Sequence, residues 1–245
     1  MSGIRSYGDP CGVARGLDII GERWALLVIR DLLLGPKRFN DLHAGLSGIS
    51  PNVLAQRLRD LTEHGVVQRR DLPPPTRVRL YELTDWGRAL EPLLLHLGRW
   101  GSQTATAPDA VLGIDSIMLS IKAAFDPAAA THHPHGSYEL HIDAETYFIE
   151  ITEDSLHISR DRAPKPPNAT LATDLDTLRA IWNHQITLAG ALDSGSLHLG
   201  GEEHAKQHLT DLLSAPVTHS PPADSASASP TSRPHTARSK TGRGC

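Results

Sequence analysis

Residues 50–83 read SPNVLAQRLRDLTEHGVVQRRDLPPPTRVRLYEL, and the first half of this stretch has the pattern of one amphipathic helix. Ser50 is a favoured N-cap residue, and Pro51 falls in the first turn, where its missing N–H costs nothing. Three leucines recur at i, i+4 and i+7 and therefore fall on one stripe of the helix. They are Leu54, Leu58 and Leu61. We predict a helix that begins at about Ser50 and buries this stripe.

The opposite face of this helix carries Asn52, Gln56 and Arg59. These side chains have the paired donors and acceptors that match base edges in the major groove of DNA, Asn and Gln with adenine and Arg with guanine. Each good bidentate contact discriminates against a wrong base by about 1–3 kcal/mol. The three residues are therefore our candidates for base contacts.

The second half of the stretch has the pattern of a basic β-hairpin. Gly65 is placed to end the helix, and strands are predicted over residues 66–70 and 77–83. Prolines 73–75 at the tip have no N–H to pair with another strand edge. Basic and hydroxyl side chains of the hairpin and helix are candidates for phosphate contacts beside the groove. They are Arg69, Arg70, Arg77 and Arg79 in the hairpin, with Ser50 and Arg57 in the helix.

The residues before the helix complete a recognisable order of parts. Residues 35–42 break a long apolar helix and open a short one, and a turn over residues 45–49 leads to Ser50. A helix, a turn, a second helix and a hairpin in this order make a winged helix-turn-helix. The second helix and hairpin alone would equally suit the solvated surface of an ordinary α+β core. The preceding helix and turn favour the DNA-binding interpretation.

Length, apolar content and charge indicate two regions with different tasks. The chain has 245 residues, of which 39% are hydrophobic, enough for about two domains with real cores. Residues 1–100 hold 14 Lys and Arg against 11 Asp and Glu, whereas residues 101–215 hold 6 against 16. The acidic region would repel DNA. No run of 18 apolar residues and no N-terminal apolar signal segment occurs, so we expect a cytoplasmic protein without a membrane partner.

The chain outside the hairpin predicts the remaining elements and an α+β fold class. Helices are expected over residues 13–20, 22–34 and 84–100, and the last has enough apolar surface for either a dimer seam or a contact with the second domain. Residues 114–213 alternate short strands with helices, as in a sheet layered by helices. A tail over residues 215–245, rich in Ser, Pro, Thr and Ala, is predicted to be disordered. The two predicted domains span residues 1–101 and 110–214.

The first of these domains resembles the HxlR-type winged-helix regulators, a branch allied to the MarR group. The matching residues are Cys11 and the segments 17–42, 48–70 and 81–90. The resemblance implies a homodimer that binds palindromic double-stranded DNA and regulates transcription, which we expect to be repression, with no catalytic residues. The wing departs from the family pattern, because LPPPTRVRL (72–80) shifts and lengthens its tip.

Residues 114–213 look like a sterol-carrier-protein-2 (SCP2) domain. The similar segments are NATLATD (168–174) and GSLHLGGEEHAKQHLTDLL (195–213). Such domains enclose an apolar tunnel for acyl or sterol-like ligands, so the resemblance implies an apolar small-molecule effector. A degenerate copy kept for packing or dimerisation is an alternative. For the whole chain, the alternative to a regulator is a lipid carrier or protein-interaction module whose winged domain serves dimerisation.

Cys11 matches a position at which several members of the HxlR family carry a redox- or electrophile-responsive cysteine. A reactive thiol needs a nearby cation that lowers its pKa, and Arg15 is the local candidate. A small packed thiol is the alternative to a sensor.

The remaining motifs weigh against metal, cofactor and enzyme chemistry. No Cys or carboxylate stands at ligand spacing beside the histidines of residues 132–135, and the pair His204 and His208 lacks the glutamate of a metalloprotease helix. No Gly-rich phosphate loop and no G-x-S-x-G elbow occurs. We therefore expect no metal, no cofactor and no catalysis.

Overall fold

The structure is a computed structural model that describes residues 6–73, 78–104, 111–125, 135–152 and 155–214. Those residues form ten helices and seven strands of a mixed α+β protein. Several predictions concern residues outside these ranges. They are the phosphate contact of Arg77, the role of Pro74 and Pro75, the histidines at 132 and 133, and the tail over 215–245.

The first hundred residues form a helical core with a two-stranded hairpin beside it. The elements are α1 (Gly12–Ile20), α2 (Ala25–Leu33), α3 (Phe39–Gly45), α4 (Pro51–Glu63), β1 (Val67–Asp71), β2 (Arg79–Leu83), α5 (Asp85–Arg88) and α6 (Glu91–Gly101). The hairpin is antiparallel, with Val67 opposite Leu83 and Asp71 opposite Arg79. The backbone of Lys37 pairs with Tyr81 on the free edge of β2. The order of parts is the predicted winged helix-turn-helix.

The predicted cap, buried leucine stripe and terminal glycine of α4 are all confirmed. Ser50 Oγ accepts a hydrogen bond from Val53 N at 3.3 Å, which caps the helix. The three leucines of the stripe are each no more than 1% exposed. Gly65 follows the helix with a φ of +73°, a left-handed conformation that favours glycine.

Two helix predictions were wrong at their boundaries. The helix expected from residue 22 begins at Ala25, because residues 21–24 form the turn after α1 and Trp24 has a φ of +78°. The single helix expected over residues 84–100 is two helices, α5 and α6. Pro92 explains the break, because within one continuous helix its ring would clash with the carbonyl of Arg88. In the first turn of α6 that conflict does not arise.

The second half of the chain is a five-stranded sheet with helices packed against it. The elements are α7 (Ile114–Ala124), β3 (Gly136–Ile142), β4 (Glu145–Ile151), β5 (Leu156–Ser159), β6 (Ala169–Thr173), α8 (Leu175–Trp182), α9 (Leu188–Asp193), β7 (Leu197–Gly201) and α10 (Glu203–Ser214). The strand order is β5-β4-β3-β6-β7, and every neighbouring pair is antiparallel except β3 with β6. The predicted alternation of short strands and helices over residues 114–213 is confirmed.

Each half of the chain has its own hydrophobic core, and the two halves share a packed junction. One core is built from helices α1 to α4 and the hairpin, and the other from α7, the sheet and α8 to α10. Helix α7 packs against α2 and α6, and Leu34 at the end of α2 belongs to the second core. No helix within the described ranges combines the length and apolar character needed to cross a membrane.

A buried cluster of charges crosses this junction. Asp115 on α7 accepts hydrogen bonds from Lys37 and Arg160, and the Tyr147 hydroxyl donates to it at 3.2 Å. Asp31 on α2 lies 3.9 Å from the Lys37 ammonium and is 1% exposed. Lys37 therefore joins carboxylates from both halves of the chain.

Candidate nucleic-acid interface

The second helix of the helix-turn-helix motif, α4, is held in place by its buried side. It packs against α1, α2 and β1 through the leucine stripe. The turn before it is fixed by buried Leu46 and Ile49 and bends at Gly48, whose φ is +86°. This packing determines which face of α4 is turned to solvent.

The solvent face of α4 carries the three residues predicted to contact bases. Asn52 and Arg59 are exposed, and Gln56 is half-buried. Gln56 Nε2 donates to Asp60 Oδ1 at 2.6 Å, and its Oε1 accepts from Arg59 Nη2 at 2.5 Å. The amide of Gln56 therefore orients the Arg59 guanidinium, and it must release one of these partners to contact a base itself.

The start of α4 is suited to a phosphate. Backbone N–H groups at a helix N-terminus attract anions. The Ser50 hydroxyl acts as an acceptor in its capping bond, which leaves its hydrogen available to donate. The cap and the predicted phosphate contact of Ser50 are therefore compatible.

Arg57 is less available for a phosphate contact than its position in the sequence suggested. Its side chain is 17% exposed, and its guanidinium lies 3.3 Å from Asp60 and 3.7 Å from Glu22. The pair with Asp60 lies within α4, and the pair with Glu22 ties α4 to the turn between α1 and α2. A phosphate contact by Arg57 requires the side chain to leave them.

The arginines of the wing have partners within the hairpin. The Arg69 guanidinium lies 5.8 Å from the centre of the Tyr81 ring. Arg70 pairs with Glu82 at 3.3 Å, and Arg79 pairs with Asp71 at 2.9 Å. The Arg70 and Arg79 side chains remain 51% and 60% exposed. The two carboxylates reduce the positive charge of the wing, an effect that depends on strand register and that the sequence pattern did not predict.

Arg38 is a basic residue near the motif that the sequence analysis did not assign. It is exposed and precedes α3, and its backbone N–H donates to Asp41 Oδ2 at 3.2 Å. The first helix of a helix-turn-helix crosses the DNA backbone, so a cation at its start is well placed for a phosphate. In the sequence, the basic residue Arg38 within KRFND (37–41) is the feature that could have indicated this phosphate contact.

Cys11 is an exposed free thiol immediately before α1. Its backbone N–H donates to Asp9 Oδ1 at 2.8 Å, and its carbonyl accepts from Arg15 N at 3.0 Å. Exposure contradicts the alternative of a small packed thiol.

The histidine pair considered as a metal site lies on α10, in the second half of the chain. His204 and His208 are neighbours on α10, with ring centres 3.9 Å apart. Within the described ranges, no three His, Cys, Asp or Glu side chains are grouped closely enough to hold a metal ion.

Comparisons with known proteins identify the first half of the chain. Residues 19–109 match the family described as HxlR-like helix-turn-helix. The regulator YvaP of Bacillus subtilis (strain 168), described as an uncharacterized HTH-type transcriptional regulator, is 41% identical over 90 residues, which are 36% of this chain and 82% of YvaP. The HTH-type transcriptional regulator YodB of the same organism is 34% identical over 93 residues, 38% of this chain and 83% of YodB.

A solved structure is also similar in sequence to part of this chain. The reduced form of YodB from B. subtilis shares 32% identity and covers 40% of this chain and 98% of its own, with a TM-score of 0.36. The sequence relatives are regulators rather than enzymes or lipid carriers. The chain therefore belongs to the HxlR-like helix-turn-helix family and is a DNA-binding transcriptional regulator, not an enzyme.

Proposed function

We propose that the chain is a homodimeric repressor that recognises its operator through the solvent face of α4. The observation that supports this most directly is the polar face of Asn52, Gln56 and Arg59 opposite a fully buried leucine stripe. In the proposal these residues read base edges, and Ser50, Arg38 and the wing arginines contact phosphates. Bound at a promoter, the dimer obstructs RNA polymerase.

The dimer is supported by the apolar surface of α6. All of α6 is described, and none of its residues is buried. Leu93 and Trp100 are 49% and 68% exposed, although α7 packs against part of this helix. Apolar surface of this kind is costly unless a partner covers it. A twofold axis here would present the two α4 helices to half-sites centred about 10–10.5 base pairs apart.

The proposal assigns residues 110–214 to an SCP2-like domain that responds to an apolar small molecule. Support comes from the mixed sheet with helices packed against it, from the strand, glycine turn and helix at β7 and α10, and from the acidic charge of this region. A ligand changes DNA binding only if it prefers one arrangement of the two α4 helices over another.

The central experiment is selection of bound duplexes from a random DNA pool with the full chain, followed by binding measurements on the recovered consensus. We expect Asn52→Ala and Arg59→Ala each to lower discrimination at one base position by about 1–3 kcal/mol. Arg70→Ala should instead weaken binding to all sequences equally and reduce the salt slope by about 1. Recovery of no consensus, or unchanged discrimination in both α4 variants, would contradict the assignment of this face.

Repression is tested separately by transcription in vitro from a promoter that contains the consensus. We expect added protein to lower the transcript yield, and the doubly substituted Asn52→Ala, Arg59→Ala protein to have no effect at the same concentration. A rise in transcript yield would show activation and reject the repressor assignment.

Cys11 is retained in the proposal as a candidate thiol sensor, which its exposure supports. The test uses a Cys245→Ser background, so that Cys11 is the remaining thiol. Alkylation with iodoacetamide should change operator affinity in this background and leave it unchanged after Cys11→Ser. Equal affinity before and after alkylation would reject the sensor.

A further inference from the structure

A groove opens at the junction of the two halves of the chain, between α2, α6 and α7. Its volume is about 700 Å³. Ligand pockets for small molecules span about 300–1,000 Å³, so the groove is large enough for a compact organic molecule. Most of its wall is apolar. The larger apolar side chains are six leucines and Phe125; the leucines are Leu27, Leu94, Leu95, Leu97, Leu112 and Leu119.

Among the described residues that line this groove, the charged side chains are both positive. Arg30 and Arg99 line it, and no Asp or Glu is among its lining residues in the described part of the chain. Arg30 is already paired with the buried carboxylate of Asp31 at 2.7 Å. Arg99 instead donates from Nε to the carbonyl of Ala123 at 2.6 Å, so its charge has no carboxylate partner within the described ranges. The α7 side of the groove comes from residues 101–215, which hold 16 acidic and 6 basic side chains, yet none of those acidic residues is among the described residues that line it.

The combination of an apolar wall and a guanidinium without a carboxylate partner selects a class of ligand. An alkyl or aryl group gains free energy by covering the leucines, and a carboxylate gains a charge-assisted, often bidentate, bond to arginine. A neutral lipid would gain only the first of these contributions. Three hydroxyl side chains also line the groove: Ser102, which donates to the carbonyl of Arg99 at 2.9 Å, and Ser116 and Ser120, which can donate to an anion.

We propose that this groove is the effector site and that its ligand is a small apolar carboxylate held by Arg99. The inference rests on the proposed effector function, and it moves the ligand from the interior of the sheet domain to the junction. At this location the ligand contacts helices that are connected to the DNA-binding helix α4. Helix α2 contacts both α7 and α4, and α6 carries the proposed dimer surface. A molecule wedged among these helices changes the position of α6 relative to α4.

The test measures binding of decanoate and decanol to the full chain by isothermal titration calorimetry, without DNA. The two probes have the same chain length and differ in charge. We expect decanoate to bind at one site per chain and at least about tenfold more tightly than decanol. Raising the salt concentration should reduce this preference, because Arg99 is exposed.

Two variants locate the site. Arg99→Gln removes the charge but keeps the three-carbon stem and a polar end, and it should weaken decanoate about tenfold while leaving decanol unchanged. Ala123→Phe fills the groove from α7 and should weaken both probes. Arg162→Gln is the matched control, because Arg162 is an exposed arginine of the second half that does not line the groove, and it should bind both probes like the unchanged chain. Circular dichroism spectra and thermal unfolding midpoints like those of the unchanged chain establish that each variant is folded.

Several outcomes would overturn the proposal. Equal affinity for decanoate and decanol would reject the role of charge, and unchanged binding in Ala123→Phe would place any ligand elsewhere. Absence of binding to the unchanged chain, with loss of the dimer in Ala123→Phe, would show that a second copy of the chain occupies the groove. Failure of the DNA selection with intact decanoate binding would reject the proposed regulatory function and leave the ligand site standing.

Discussion

At the scale of single residues, the unusual feature is how many charged groups are buried at the junction. The Asp115 side chain is 5% exposed, and its partners Lys37 and Arg160 are 8% and 12% exposed. Taking these ions out of water is costly, and only their mutual pairing offsets the loss of solvation. Asp115 is the common acceptor and comes from the second half of the chain, so it is the group whose loss affects the cluster most.

We expect Asp115→Ala to lower the free energy of unfolding by about 3–5 kcal/mol, because it leaves Lys37 and Arg160 buried without their common acceptor. Urea denaturation followed by circular dichroism measures the change. Asp176→Ala is the control, since its carboxylate is 93% exposed and pairs with Arg179 at 3.1 Å. The control should change stability by no more than about 0.5 kcal/mol. Equal losses in the two variants would contradict the importance of burial.

Asp31 makes the stability of the protein depend on pH. Burial raises the pKa of its carboxyl above the ordinary value of 3.8, although Arg30 and Lys37 oppose the shift. The folded chain therefore holds this proton more tightly than the unfolded chain. The stabilising contribution of Asp31 is complete below pH 3.8 and is lost as the pH rises through the raised folded-state pKa.

Asp31→Asn removes this titration while it preserves the shape of the side chain. Unfolding free energies of the unchanged chain and the variant, measured at a series of pH values, should therefore diverge. The stability of the unchanged chain relative to the variant should fall as the pH rises from 3.8. A difference that stays constant with pH would show that the Asp31 carboxyl has the same pKa in the folded and unfolded chain.

At the scale of elements, α4 and the hairpin are connected by a turn that needs glycine. Gly65 has a φ of +73°, and a Cβ added there would meet no atom within 4 Å. The cost of a side chain at this position therefore comes from backbone conformation alone. Gly16 is the opposite case, because it lies inside α1, its φ is not positive, and its surroundings are equally open.

We expect Gly65→Ala to lower the free energy of unfolding by about 1 kcal/mol and Gly16→Ala to raise it by up to about 1 kcal/mol. The first forces a left-handed conformation on alanine, and the second removes backbone freedom from the unfolded chain. Thermal or urea denaturation measures the change in the free energy of unfolding of each variant. Equal effects of the same sign would mean that φ at residue 65 does not set the cost.

At the scale of the whole molecule, the proposed dimer depends on the exposed surface of α6. Helix α7 packs on one side of α6, with Leu95 in contact with the second core, and Leu93 and Trp100 remain exposed. The sequence left a dimer seam and a contact with the second domain as alternatives for this helix. The structure supports a contact on one side, and the exposed side is the proposed dimer surface.

Trp100→Glu, alone or with Leu93→Glu, is expected to convert the dimer to a monomer, because a carboxylate in the seam must lose its water. Analytical ultracentrifugation gives the assembly state, and operator affinity should fall together with dimerisation. Ile186→Glu is the control, since Ile186 is 38% exposed and lies in the second half of the chain. A monomeric unchanged chain, or a dimer that survives both substitutions, would reject this surface.

The sequence by itself determined the elements whose signals are local. The cap at Ser50, the leucine stripe of α4 and the turn at Gly65 each depend on residues within a few positions of one another. Helical periodicity, capping and left-handed glycine need no knowledge of distant chain. The same locality made the faces of α4 predictable, and with them the choice of Asn52, Gln56 and Arg59.

Only the tertiary structure decided which charges meet. Lys37 and Asp115 are 78 residues apart, and their contact exists because α7 packs beside α2. The pairing of Arg79 with Asp71 depends on strand register, and the groove beside Arg99 depends on three helices from both halves. Periodicity places a side chain on a face of its own element, whereas packing between elements fixes what that face contacts and which charges remain without a partner.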